Sequence, residues 1–188
     1  MSRRKHLIIL SAPSGGGKST VARHLKKKFP QLCFSVSATT RKPRNREIDG
    51  VDYFFISKEE FEQKIKERAF VEYEEIYGNY YGTLCEIVEK HIIAGKFLLF
   101  DIDVKGALSI QKVFPTETLL VFLKPQDIKV LEERLLKRSS ESEAEIKKRM
   151  DRAIMEMQML DKFDYVVSNI VLNDTLKEVE EIVEKNIK

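Results

Sequence analysis

Leu7-Ile-Ile-Leu-Ser-Ala-Pro-Ser-Gly-Gly-Gly-Lys-Ser-Thr20 decides the fold, because an apolar run gives way there to three glycines and a Lys-Ser pair that open a helical segment. Residues 7 to 11 read as a buried strand and residues 19 to 28 as a helix. Between them, three consecutive glycines allow left-handed and crowded backbone conformations, so that successive N–H groups can turn inward on an anion. Lys18 adds a mobile positive charge, and the Ser19 hydroxyl suits a hard cation such as Mg²⁺. One position departs from G-x-x-x-x-G-K-[ST]: Ala12 stands where the first glycine would be, a difference of one methyl group. A turn that merely caps a helix needs one glycine, not three followed by Lys-Ser. The expectation is a phosphate cradle between a strand and a helix.

Composition sets the outer limits. A chain of 188 residues is long enough for one domain with a sizeable core and small inserted lobes. Its 33 basic and 30 acidic residues leave a net charge of +3, so no broad nucleic-acid-binding field is expected. Arg3, Arg4, Lys5 and His6 read as a solvated tail. No stretch approaches the roughly 18 apolar residues of a membrane span. Leu7 to Leu10 is too short for a secretory signal, and a cytoplasmic location is expected. Cys33 and Cys85 lie outside any metal-ligand spacing and are expected to be free thiols. Cys85 should mainly pack, with some reactivity from its place near a helix start.

Past Pro30, Cys33 to Ser37 alternates like a short strand and leads into residues 38 to 47, a basic loop with no apolar face. Its Arg41, Arg44 and Arg46, at the end of a strand beside a phosphate cradle, suit a second phosphate. Residues 51 to 56 read as a strand, Ser57-Lys-Glu-Glu60 as a capping box with Phe61 and Ile65 on one helix face, and residues 69 to 77 as another strand. Gly78-Asn-Tyr-Tyr-Gly82 reads as an aromatic turn, and Thr83-Leu-Cys-Glu86 as a second capping box whose helix ends near Gly95. Lys96 to Asp103 is the clearest buried strand. It meets Asp101 and Asp103 at its C-terminal end, where ligands bind in an open parallel sheet.

A helix over 104 to 113, a strand over 118 to 123 and a helix after Pro125 carrying Ile128, Leu131 and Leu135 continue a β-α alternation, which argues for a parallel sheet. A polar hinge from Arg134 to Glu143 separates two helical arms, the second capped through Ser142 and Glu145 and carrying Ile146, Met150, Ala153, Met157 and Leu160. Arg134, Arg138 and Arg149 on these arms suit either a mobile cationic lid or two solvated helix faces. A strand over 164 to 168 and an amphipathic helix over 174 to 187 follow.

These segments resemble the guanylate kinase family over nearly the whole length, from the cradle to Phe163-Asp-Tyr-Val-Val. The most specific portions are Ser35-Val-Ser-x-Thr-Thr-Arg-x-Pro-Arg44, Gly50-x-Asp-Tyr53, Gly78-Asn-Tyr-Tyr-Gly-Thr83 and Asp101-Ile-Asp103. The resemblance implies an α/β fold of the P-loop kinase type within a single domain. Its parts would be a parallel core (about 1–33, 96–125 and 162–188), an inserted α+β lobe for the nucleoside monophosphate (about 34–95) and a helical lid (about 134–150). It implies a phosphotransferase that moves the γ-phosphoryl group of ATP to GMP with Mg²⁺. ATP and GMP would be its partners, with no nucleic acid, membrane or obligate protein partner.

On the acceptor side the resemblance implies that Arg41, Arg44, Tyr53 and Tyr81 hold the GMP phosphate, two forked cations and two phenolic donors around a dianion. Glu72 would accept from guanine N1–H and N2–H. Adenine has a lone pair at N1 and no N2 amine, so AMP would leave a buried carboxylate unpaired. Ser37 and Thr83 are the matching hydroxyls for the base, although a capping role competes for the Thr83 oxygen. Asp103 is a further GMP contact, while Asp101 orients the metal's water or Lys18.

On the donor side the resemblance sets ATP's phosphates at Ala12, Pro13, Ser14, Gly15, Gly16, Gly17, Lys18, Ser19 and Thr20. Lys18, Arg41, Arg138 and Arg149 are the catalytic cations, Ser19 and Asp101 the metal-side groups, and Asn169 a neighbour of adenine. Two departures fall here: Ser139 follows Arg138 where the family has glycine, and Ile-Val-Leu-Asn-Asp follows Asn169 where acidic residues would come at once. A GTPase switch could claim Asp103-Val-Lys-Gly106 but lacks an Asn-Lys-x-Asp base reader; a non-catalytic binding module is opposed by the intact Lys18 and Ser19. No matched residue interrogates the 2′ position, which leaves dGMP open as a second acceptor.

Overall fold

Strand β1 (Leu7–Ser11) is completely buried because helices cover both faces of the sheet it centres. A computed structural model describes residues 4–13, 15–45, 47–76, 78–127, 131 and 143–188. The sheet has the order β2 (Leu32–Phe34), β7 (Phe97–Asp101), β1, β8 (Thr118–Pro125), β9 (Tyr165–Asn169), and every pairing is parallel. Side chains of β1 alternate between two cores. Ile8 and Leu10 pack with Val21 and Leu25 of α1 (Lys18–Lys28) and with Val179 and Val183 of α6 (Leu172–Ile187). Leu7 and Ile9 pack on the other face with Val104, Ala107 and Ile110 of α4 (Val104–Val113). Two aliphatic stripes at a spacing of two, each met by a helical stripe, yield the layered α/β core.

A second sheet has the order β4 (Phe54–Phe55), β3 (Ala38–Thr39), β6 (Asn79–Leu84), β5 (Phe70–Ile76). It packs on α2 (Lys58–Lys66), whose capping box forms as read: the Ser57 hydroxyl accepts the Glu60 N–H at 3.1 Å. Phe61 is fully buried and stacks on Phe70 and Tyr80, with ring centroids 4.2 and 5.2 Å apart. Helix α3 (Cys85–Ile93) leads back to β7. Helix α5 (Glu143–Met157) and a 3₁₀ turn (Leu160–Lys162) precede β9.

Four local expectations are corrected. The run Cys33 to Ser37 is not one strand: β2 stops at Phe34, and the chain crosses to the second sheet, where Ala38 and Thr39 form β3. Of residues 51 to 56 only Phe54 and Phe55 are strand. Residues 78 to 82 are not a turn but mostly β6. Gly78 alone takes a left-handed turn conformation, φ 77°, whereas Gly82 lies in the strand, paired with Ala38 and Tyr73, and is glycine because a Cβ there would lie 2.9 Å from the Phe70 ring and 3.0 Å from the Phe61 ring. Lastly, α3 starts after Leu84 with no side-chain cap, so Thr83 is not spent on it.

Ser14, Arg46, Arg134, Arg138 and the hinge to Ser142 lie outside the described residues, as does nearly all of the helix expected after Pro125. Both cysteines are free thiols. Burial, followed by the nearby Glu89 charge, raises the Cys85 thiol above its ordinary range, opposite to the expected reactivity. Among the described residues no helix is long and apolar enough to cross a membrane.

Candidate active site

The cradle uses its glycines for two different reasons. Gly15 and Gly17 have φ of 80° and 86°, in the left-handed region that a Cβ disfavours. Gly16 is fixed by crowding instead, since a Cβ would lie 2.8 Å from both the Ala12 methyl and the Pro13 carbonyl oxygen. Lys18 Nζ donates to the Ala12 carbonyl at 2.8 Å, so the first position of the motif acts through its backbone and a methyl group there costs little. Next to it, Ser19 Oγ donates to Asp101 Oδ2 at 2.6 Å, joining the head of α1 to the end of β7. A hydroxyl and a carboxylate are hard oxygen donors that fit a divalent cation arriving with a triphosphate. Among the described residues no group of three or more His, Cys, Asp or Glu side chains could cage a metal without it.

Across the cleft, the second sheet presents a carboxylate and a hydroxyl together. Thr83 Oγ1 donates to Glu72 Oε1 at 2.6 Å, and both groups are withdrawn from solvent. Burial pushes the Glu72 carboxyl up to about 7, with Asp103 and Glu74 adding to the rise and the Thr83 hydroxyl opposing it. In the loop that follows β3, the Arg41 guanidinium is forked onto Glu47 at 2.8 and 2.9 Å and lies 5.3 Å from the Tyr53 ring centroid. The hydrogen bonds to Glu47 raise Arg41 above the ordinary guanidinium range, and the same pairing holds Glu47 below the usual carboxylate range. Glu47 also accepts the Arg44 N–H at 2.6 Å, which ties the basic loop into one turn. Tyr53 and Tyr81 meet edge to face, ring centroids 6.1 Å apart, and burial raises the Tyr53 phenol.

One cavity of about 830 Å³ joins the two halves. Its wall includes the cradle residues Ala12, Pro13 and Gly15 to Thr20, the acceptor-side residues Ser37, Tyr53, Glu72 and Tyr81, the strand-end pair Asp101 and Asp103, and Arg149 of α5. Arg41, Arg44, Thr83 and Asn169 do not line it; Arg41 and Thr83 instead hold groups that do.

The guanylate kinase family model matches residues 4–186. This chain is 48% identical over 179 residues to a guanylate kinase of Chlorobium luteolum, covering 95% of this chain and 91% of the relative. It is 51% identical over 173 residues to one of Chlorobaculum tepidum, covering 92% and 89%. It belongs to the guanylate kinase family. A crystal structure of guanylate kinase from Anaplasma phagocytophilum superposes with a TM-score of 0.73 at 26% identity, covering all of this chain and 89% of the other, in agreement with an α/β P-loop kinase fold.

Asn169, expected as a neighbour of adenine, does not line the cavity and is bound to the cradle from behind. Its Nδ2 donates to the Gly16 carbonyl at 2.6 Å, and its Oδ1 accepts the Thr175 hydroxyl at 3.2 Å. A Cβ on Gly17 would come within 2.9 Å of that same amide, so Asn169 is a strut under the cradle. Asn169→Ala leaves the buried Gly16 carbonyl without its side-chain donor, at a cost of about 2 kcal/mol, while the Thr175 hydroxyl keeps the Val171 carbonyl at 3.0 Å. The expected result is a melting temperature lower by about 5 °C and a several-fold higher KM for ATP, read by thermal denaturation and steady-state kinetics.

Four polar residues of this region escaped the sequence reading: Glu47, Glu74, Arg152 and Glu156. Arg152 Nη2 donates to Glu74 Oε2 at 2.9 Å and lies 3.1 Å from Asp103 Oδ2, and its Nε donates to Glu156 Oε1 at 3.1 Å. Burial raises Glu74 and Glu156, and for Asp103 it pulls the same way. Bonds from Glu74 and the Gly106 N–H and the charge of Arg152 outweigh it and leave Asp103 low. The helical period of α5 contains the Arg152–Glu156 pair at a spacing of four but gave no sign of the network, because Glu74 and Asp103 lie far away in sequence.

Proposed function

We infer that the protein phosphorylates GMP at the expense of ATP, giving GDP and ADP. The observation that supports this reading is the carboxylate of Glu72, held by the Thr83 hydroxyl, on the wall of the cavity that the cradle residues Gly15 to Thr20 also line. A carboxylate on that wall suits a base that offers two adjacent donors, as guanine does at N1 and N2. The cradle with Lys18 suits the polyphosphate of a donor, so the two nucleotides meet head to head.

We assign the second sheet with α2 and α3 as the acceptor lobe, and the arm that includes α5 as part of a closing lid. Tyr53 and Tyr81 donate to the GMP phosphate, and Arg41 and Arg44 supply its positive surroundings, with Glu47 keeping the Arg41 fork ordered. Ser37 and Asp103 complete the acceptor side. Lys18 and Arg149, with Arg138 from outside the described residues, balance the charge on the transferred group. Mg²⁺ is the divalent cation we propose, held on the protein side by Ser19 and, through water, by Asp101; when bound it would neutralise phosphate charge. In the transfer a GMP phosphate oxygen forms a new P–O bond to the γ-phosphorus as the bond to ADP breaks. No strong base is needed, because a phosphate monoester with a second pKa near 6 is already largely dianionic at neutral pH.

Asp103-Val-Lys-Gly106, which a GTPase reading would take as a switch element, is the N-cap of α4, with Asp103 Oδ1 accepting the Gly106 N–H at 2.9 Å. A coupled assay of ADP release with GMP, dGMP, AMP, CMP or dTMP as acceptor tests the function. Turnover is expected with GMP and at least a hundredfold less with AMP. ADP release that is independent of any acceptor would mean a hydrolase, and no release at all a binding module.

A further inference from the structure

A single guanidinium joins three parts of the molecule. Arg152 lies on α5, Glu74 on β5 of the second sheet, and Asp103 at the N-cap of α4, two residues past the core strand β7, yet one Arg152 nitrogen reaches both carboxylates, at 2.9 and 3.1 Å. A third carboxylate, Glu156, sits one helical turn away at 3.1 Å with only 6% of its side chain exposed. All four residues line the cavity, as does Glu72. Glu74 is two residues from Glu72 on one strand, so their side chains share a face, and whatever fixes Glu74 fixes the strand segment that carries the base reader. Asp103 is held on both oxygens, Oδ1 by the Gly106 N–H and Oδ2 by Arg152, with lone pairs left over for a ligand.

An exposed ion pair would matter little. This one is partly desolvated, and it supplies the cation bonded to three of the six carboxylates that line a cavity a nucleotide dianion must enter. We propose that Arg152 is a positioning residue of the acceptor site, acting through Asp103 and Glu74 to hold the guanosine-facing carboxylates in place and to neutralise them. This rests on the GMP kinase reading and deepens it. A role through the acceptor site predicts an effect on GMP binding, with the donor cradle and the transfer step largely untouched.

The test is steady-state kinetics with each nucleotide varied in turn. Arg152→Met should raise the KM for GMP about tenfold to thirtyfold, with kcat within about threefold and the KM for ATP within about twofold of the unaltered protein. Arg152→Lys restores the charge but not a planar fork that spans two carboxylates, so it should recover only part of the loss. Glu74→Gln should raise the KM for GMP about threefold alone and add nothing in the Arg152→Met background, since the two act as one unit. If Arg152→Met does not fold, Arg152→Lys and Glu74→Gln carry the test through their own rise in GMP KM. A GMP KM within twofold of the unaltered protein, a parallel rise in ATP KM, or additive effects in the double variant would overturn the proposal and leave the GMP kinase reading standing. Absence of GMP turnover in the unaltered protein would overturn both.

Discussion

Lys18→Ala is expected to lower kcat by about a thousandfold while the protein stays folded. Lys18 Nζ donates to the Ala12 carbonyl at 2.8 Å, at the head of α1. Losing it costs the fold about 1 kcal/mol, or a few degrees in melting temperature for a chain of this size. The loss in the reaction is of another order. As phosphate charge shifts toward the leaving oxygen, the lysine ammonium is the mobile cation of the cradle. The glycine N–H groups cannot replace it, because they are fixed in direction by Gly15 and Gly17 and by the packing of Gly16. Initial rates of ADP formation at saturating ATP and GMP, beside a thermal melt, separate the two effects. A kcat within tenfold of the unaltered protein would sink the role given to the cradle.

How far the chain could be read in advance follows from where each signal lives. Leu7 to Leu10 and the apolar part of Lys96 to Asp103 were legible because a strand buried on both faces has to be apolar throughout, and that pattern is local; the strand itself ends at Asp101, and Asp103 caps the helix that follows. Ser57 was legible as a cap for the same reason, since its partner Glu60 is three residues away. Only the capping role read for Thr83 fails, because the capping-box pattern sits across the end of a strand; its hydroxyl finds Glu72 eleven residues back through the β5–β6 pairing. Gly82 looked like turn punctuation, and its real cause is the Phe61 and Phe70 rings, which are invisible until the sheet is folded onto α2. Asn169 lies 153 residues from Gly16, and Arg152 lies 78 from Glu74, so no window along the chain contains either bond. Family resemblance filled in much of the acceptor side. It gave no hint of Arg152, whose partners come from three separate elements.

Glu72→Gln is expected to raise the KM for GMP by about a hundredfold at pH 8, with the KM for ATP within about twofold, and to remove most of the discrimination against AMP. The amide keeps an acceptor for the Thr83 hydroxyl, which the carboxylate receives at 2.6 Å, so the packing survives. What it loses is the charge and the second acceptor, and it turns an N–H donor toward a base edge that is itself a donor. The pH dependence gives an independent check. Burial pushes the Glu72 carboxyl up to about 7, above its ordinary 4.5. The folded protein therefore keeps a proton that the unfolded chain has already lost between those values. The stability this lends is full below about pH 4.5 and is lost as the pH rises through about 7. A glutamine has no such loss, so the variant should melt higher than the unaltered protein at pH 8, and the gap should close toward pH 5. Binding runs the other way: the base needs the carboxylate, so GMP affinity of the unaltered protein should weaken as pH falls below 7, with a proton released on binding near that pH. Isothermal titration in two buffers of different ionisation enthalpy reads that proton directly. A Glu72→Gln protein that still releases it, or that still prefers GMP to AMP as strongly as before, would move the base-reading role to another residue of the same wall.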